Sequence, residues 1–108
     1  MRTIDDWHEL RVRSGVVLRA EPNAAARLPA YCLWIDFGDL GVLQSSAKIT
    51  DQYRAEDLVG SQVIAVTGFP PRHVAGFRSD VLVLGALTDS GVVLVRPDLE
   101  VPPGSTVA

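Results

Sequence analysis

The chain has 108 residues and 11.6 kDa, is 47% hydrophobic and 21% charged, and carries a formal charge of −3 at pH 7. A chain of this size is expected to fold as one domain, residues 1–108, burying roughly 65% of its extended surface; that allows a single core and excludes a large multi-part active site. The longest apolar runs, Val81 to Leu87 and Val92 to Val95, stop well short of the roughly 20 residues a membrane helix requires.

The first residues, Met1 to Asp6, turn acidic at once and lack the basic-then-apolar order of a secretory signal, so a cytoplasmic protein is expected. A lone cysteine, Cys32, supplies neither an intrachain disulfide nor a thiolate zinc site and is read as structural. The pI near 5.2 argues against a general nucleic-acid coat, because releasing counterions from phosphates needs clustered cations. Lys48 is the only lysine; every other basic side chain is arginine, the residue suited to bidentate contacts with phosphate or carboxylate.

In chain order, Thr3 can cap a short helix over Ile4 to Leu10, with Asp5 and Asp6 near its positive end. Alternation then predicts a strand from Val12 to Glu21. After the loop Pro22 to Ala30 comes a second strand, Tyr31 to Phe37, with Trp34 and Asp36 opposite Leu33, Ile35 and Phe37. Gly38-Asp39-Leu40-Gly41 turns it into a third strand, Val42 to Ser45. The β pattern fades between Ala47 and Gly60, where Tyr53 to Val59 reads as a short helix ended by Gly60. Three further strands follow, Gln62 to Thr67, Val81 to Leu87 and Gly91 to Arg96. Three strands, a small helix, two strands and one extra strand fit an all-β protein of OB type: a five-stranded barrel with a short N-terminal helix and an added C-terminal strand.

OB barrels bind ligands on strands two and three, beside the loops joining strands one to two and four to five. Here the four–five loop runs from Gly68 to Ser79 and holds Phe69, Arg72, Phe77 and Arg78 without a single acid. Pro70-Pro71 stiffens it and Gly76 allows a tight reversal. The end of strand three adds Gln44, Ser45, Ser46 and Lys48. The expected ligand surface is therefore Ser45, Ser46, Lys48, Phe69, Arg72, Phe77, Arg78 and Ser79. The competing reading makes Phe69 and Phe77 a plug for one end of the core, with the arginines as solvated loop charges. Trp34 and Tyr31, set in an apolar strand, read as core or interface rather than stacking residues, and Trp7 as an anchor for the first helix or a subunit contact.

No catalytic signature stands out. Ser45 to Lys48 meets the bare Ser-x-x-Lys pattern of penicillin-recognising enzymes, but the chain is too short for that fold and lacks its Lys-Thr-Gly element. His8 and His73 have no neighbours at metal spacing, Asp36 and Asp39 read as edge and turn carboxylates, and no phosphate-cradling glycine loop occurs, so neither metal nor cofactor is expected.

With these residues in view, the chain resembles the CsaA-type secretion chaperones of the tRNA-binding-domain family. The likeness is carried by Ile35-Asp36-Phe37-Gly38, Gln44-Ser45-Ser46-Ala47 with Ile49-Thr50, Tyr53 and Leu58, Phe69-Pro70-Pro71-Arg72, Ala75-Gly76-Phe77, Ser79, and Val81 to Gly85. It departs at Gly68, where an asparagine is expected before Phe-Pro-Pro, and in lacking the lysine-rich character of stronger tRNA binders. The resemblance implies a non-catalytic OB-fold homodimer that binds unfolded or export-destined polypeptides and retains tRNA-binding character, with Ser45, Ser46, Phe69, Arg72, Phe77, Arg78 and Ser79 at or near the ligand. Pairing through the first helix and the C-terminal strand region, with Val92 to Val95 and the Pro97 to Val101 tail contributing, would have to hide about 1,200–2,000 Å². Three functions thus compete: a polypeptide-binding chaperone, a structure-tolerant tRNA-binding module, and, with no base in sight, a small hydrolase using Ser46 or Cys32.

Overall fold

The computed structural model describes residues 1–108. Its elements are α1 (Ile4–Glu9), β1 (Arg11–Pro22), β2 (Tyr31–Asp36), a 3-10 turn (Gly38–Leu40), β3 (Val42–Ala47), α2 (Ala55–Leu58), β4 (Gln62–Thr67), β5 (Arg72–Val74), β6 (Phe77–Ser79), β7 (Leu82–Val83), β8 (Gly85–Thr88) and β9 (Gly91–Leu94). None of the helices is long and apolar enough to cross a membrane. Five strands form one sheet in the order β3-β2-β1-β4-β7, and β5–β6 and β8–β9 form separate two-stranded ribbons.

β1 serves two neighbours in succession: Arg11 to Val16 pair antiparallel with β4, and Val16 to Pro22 with β2. A register shift at Leu18 bends the strand between these halves, as an extra residue in a ladder does. Gly15 sits where the curl is tightest. A Cβ there would lie 2.5 Å from Ile35 Cγ2 and 2.8 Å from Phe37 Cε1, so only hydrogen fits. The sheet closes when Asp80 N and Val81 N both donate to Gln44 O, at 2.8 and 3.3 Å. The result is the expected OB barrel.

Inside it, Leu33, Ile35, Phe37, Leu58 and Val63 are completely buried. Each such side chain contributes about 1.5–3 kcal/mol, against about 0–1 kcal/mol for an exposed ion pair. The core therefore outweighs the three ion pairs, Arg19–Glu21, Arg54–Glu56 and Arg78–Asp80. α2 lies between β3 and β4 as the plug, supplying Leu58, though it spans Ala55–Leu58 rather than Tyr53 to Val59. Tyr31 is buried; its hydroxyl donates to Tyr53 O at 2.7 Å, and Leu94 N donates to the Tyr53 hydroxyl at 2.9 Å. Trp7 packs on a smaller cluster of Val12, Ile64 and Val66, which anchors α1.

Two expected strands are altered. The run Val81 to Leu87 splits at Leu84, whose N–H donates to Ile64 O while its carbonyl accepts from Val95 N. Gly85 then takes up the β8–β9 pairing, where a Cβ would meet Val92 Cγ1 at 2.4 Å. The extra strand, β9, ends at Leu94 rather than Arg96.

The C-terminal segment completes the sheet. Gly104 N donates to Ser14 O, Ser14 N to Ser105 O, and Val107 N to Val12 O, filling the edge of β1 that β2 leaves open. It crosses the Phe37–Gly38 corner glycine against glycine: a Cβ on Gly104 would fall 2.3 Å from Phe37 O, and one on Gly38 2.5 Å from Pro103 O.

Candidate functional site

The segment from Gly68 to Ser79, expected as a loop, is largely a hairpin, β5–β6. Its two-residue turn, Ala75-Gly76, has φ of +49° and +80°, the paired left-handed conformation that matches strand twist. Polar side chains bolt this flap to the barrel. At the tip, the Asn23 amide donates to Val74 O at 3.3 Å. At the base, Ser46 N donates to Ser79 Oγ at 3.0 Å, Gln44 Nε2 to Arg78 O at 3.0 Å, and Gln44 N to Asp80 Oδ2 at 2.9 Å.

The pairing of Val74 with Phe77 and Arg72 with Ser79 puts these four on one face of the ribbon, with His73 and Arg78 on the other. Phe77 is half-buried and meets Trp34 edge-to-face, ring centroids 5.3 Å apart at 77°. The Arg19 guanidinium stands 4.5 Å from the Trp34 ring centre and is ion-paired to Glu21. Trp34 is thus no core residue, contrary to that side of the expectation. Leu33 and Ile35 take the inward positions of β2, and Trp34 is left on the outer face beneath the flap.

The eight expected residues do not form one cluster. Phe69 and Arg72, both exposed, line a groove of about 440 Å³ with Pro70, Pro71, Ser79, Asp80, Val81 and Leu82. Arg78 donates to Asp80 Oδ1 at 3.0 Å and so already holds a carboxylate. Ser46 is half-buried at the flap base. Ser45 is completely buried, its hydroxyl bonded to Ser46 O at 3.2 Å; on alternating β3 it faces the core while Ser46 faces out, which takes it out of a ligand's reach. Ser79 is also buried, and its hydroxyl is engaged with Ser46 N. Both serines serve the scaffold in this conformation. Lys48 lies on the far side of the flap, in a second groove with Arg27, Leu28, Val74 and Ala75. Arg27, Arg72 and Lys48 have no carboxylate within ion-pair distance, and they are the uncompensated cations around the flap. Alternation along β1 and β2 is the signal in the sequence that puts Trp34 and Arg19 on one outer face, whereas Arg27 and Asn23, in the loop before β2, carry no such signal.

Nucleophilic chemistry finds no support in this geometry. Burial, helped by the Glu21 charge, pushes the Cys32 thiol up from its ordinary range, which disfavours the reactive thiolate. No histidine is hydrogen-bonded to Ser46 or Cys32.

The family model "Putative tRNA binding domain" matches residues 12–106. The chain belongs to the tRNA binding domain family. Within it, the chain is of the CsaA type. It is similar over 100% of its length to the chaperone CsaA of Bacillus anthracis str. Ames, with 49% identity, TM-score 0.94 and 99% of that chain covered. The CsaA chaperone protein of Picrophilus torridus superposes with the same TM-score at 42% identity, both chains fully covered. Among curated relatives, methionine–tRNA ligases of Thermotoga maritima and Porphyromonas gingivalis are 34% and 36% identical over 98% and 95% of this chain. The chain spans only about 15% of the length of such ligases.

Proposed function

We propose that the chain is a non-catalytic, polypeptide-binding chaperone, one domain over residues 1–108, that works in the cytoplasm as a homodimer on unfolded or export-destined chains. The observation that carries this reading is the groove beside the flap. Its walls are Phe69, Pro70, Pro71, Val81 and Leu82, with Ser79 and the Arg78-paired Asp80 in its lining, and its unpaired cation is Arg72. Such a surface suits an extended apolar segment with a flanking acid. The end-to-end likeness to two CsaA chaperones supports the same reading. Ser46, Phe69, Arg72 and Phe77 are the proposed ligand contacts, with Ser79 and Arg78 holding the flap behind them and Ser45 in the core of β3.

Dimerisation is supported by apolar surface concentrated on β8–β9 and the segment after it, where Leu87 is 86% and Leu99 77% exposed, with Val93 and Val95 beside them. Sedimentation at micromolar concentration is expected to give twice the chain mass; a lone 11.6 kDa species would remove the dimer.

A second reading, a structure-tolerant tRNA-binding module, is favoured by the family match, with Arg27, Lys48 and Arg72 as phosphate contacts and Trp34 or Phe69 as a stacking platform. Paired titration with a permanently unfolded polypeptide and with tRNA, at two salt concentrations, separates the two. The chaperone reading expects weak, sequence-tolerant polypeptide binding that changes little with salt and is lost in the Phe77→Ala/Arg72→Ala double variant. Polypeptide binding untouched by that double change would reject it. Binding confined to tRNA, weakening with a log–log salt slope of about −0.7 to −0.9 per phosphate, would give the second reading precedence.

A further inference from the structure

Beyond the flap, the barrel carries a second cluster of cations that the proposed function leaves unused. Arg11 and Arg13 lie two residues apart on β1 and so share one of its faces with Gly15. That face is the inner one: Arg13 pairs with Ala65 and Gly15 with Val63, both completely buried in the main core. The core row therefore runs out at a guanidinium. There it opens into a groove of about 420 Å³, walled by Leu40 and Leu43, edged by Thr67, and flanked by Arg11, Arg13 and His8; the lining holds no acid.

The half-buried Arg13 is poorly satisfied for a charge in that position. Its Nη1 donates to Thr106 Oγ1 at 2.6 Å, with Gly104 O at 3.5 Å, and it has no carboxylate within ion-pair distance. Its Nε is shielded from solvent and has no hydrogen-bond partner, the one such buried side-chain atom in the molecule. The arginines that stiffen the surface behave differently, since Arg19, Arg54 and Arg78 each hold a carboxylate. A half-buried guanidinium without a counter-charge is the arrangement an external anion would complete.

We propose that the Arg11–Arg13 groove is a binding site for a phosphate group, separate from the flap. Two guanidinium forks and an imidazole converge on one groove, which offers more donors than a planar carboxylate can accept and suits a tetrahedral oxyanion. Arg13 supplies Nη2 from the inner wall, Arg11 closes from the exposed rim, and His8 adds a third N–H donor from α1.

The test is a titration of the ¹⁵N-labelled full chain with inorganic phosphate, against chloride at matched ionic strength, following the arginine Nε–Hε resonances. The Arg13 signal is expected to move and saturate with phosphate and to stay still in chloride. Arg11 is exposed, so Arg11→Gln leaves the fold intact and is expected to weaken binding by about tenfold, the loss of a charge-assisted pair, whereas Arg54→Gln changes nothing. AMP is expected to reproduce the shift and adenosine to fail. Competition by tRNA would give an RNA backbone as the phosphate source, and saturation by AMP without such competition a free phosphomonoester; both support the site. An Arg13 signal that ignores phosphate and AMP, an Arg11→Gln variant that titrates like the parent, or an equal shift with adenosine overturns the proposal.

Discussion

Replacing Ser79 by alanine is expected to unfasten the flap. The Ser79 hydroxyl accepts the Ser46 N–H at 3.0 Å in a site where Ser79 is only 6% exposed, so water does not readily take its place. Its other contact, to Val81 O, is 3.4 Å long and adds little. Removing the acceptor strands one shielded backbone donor, which costs about 1–3 kcal/mol. For a chain of this length each kcal/mol lowers Tm by about 4–8 °C. The damage should be local as well as global. Gln44 still holds Arg78 O and Asp80 still holds Gln44 N, so the flap stays near the barrel with looser hinging. Urea melts read the first effect as a lower midpoint at unchanged m-value, and amide hydrogen exchange reads the second as faster exchange at Ser46. A midpoint change worth less than about 0.5 kcal/mol, with Ser46 exchange unaltered, would refute the idea that this hydroxyl fastens the flap.

Three further outcomes follow from the same geometry. Gly15→Ala drives a methyl into Ile35 and Phe37, both completely buried, and is expected to cost about 1–3 kcal/mol in denaturant melts; an indifferent variant would contradict the tight curl of β1. Phe77→Ala removes the edge-to-face partner of Trp34, worth about 0.5–1.5 kcal/mol, and in a Trp7→Phe background Trp34 emission is expected to shift to the red; unchanged emission would separate the two rings. Because the folded chain raises the Cys32 pKa, the contribution of the neutral thiol to stability is fully present below about pH 8.5, the unfolded value, and is lost as pH rises through the higher folded value. Iodoacetamide near pH 8.5 is therefore expected to label the native thiol far more slowly than the urea-unfolded one, and equal rates would count against the burial argument.

The barrel strands were legible because each buries one face of a period-two pattern, as Leu33 and Ile35 do against Trp34. The same rule also separates Ser45 from Ser46, but adjacent serines carry no apolar contrast to say which one faces in. The flap was not legible as a hairpin. Its strands are three residues each, too short for alternation to register, and its turn is Ala75-Gly76 rather than a stronger Asn-Gly signal. The ion pair of Arg78 was hidden because its partner, Asp80, stands just beyond the acid-free run that drew attention to the loop. The Pro102-Pro103-Gly104 tail reads as punctuation, and only its crossing with Gly38 reveals it as part of the sheet.

That tail has a consequence for how the chain comes into being. The backbone groups of β1 at Val12 and Ser14 find their partners only when residues 104–107 have followed it out of the ribosome, some 90 positions later, as the separation of 91 between Ser14 and Ser105 makes plain. Until then a nascent chain presents an open strand edge, the surface most prone to wrong pairing with a neighbour. Completion of this edge therefore waits on residues 104–107, and a ribosome stalled before Gly104 would hold a strand still lacking its final neighbour.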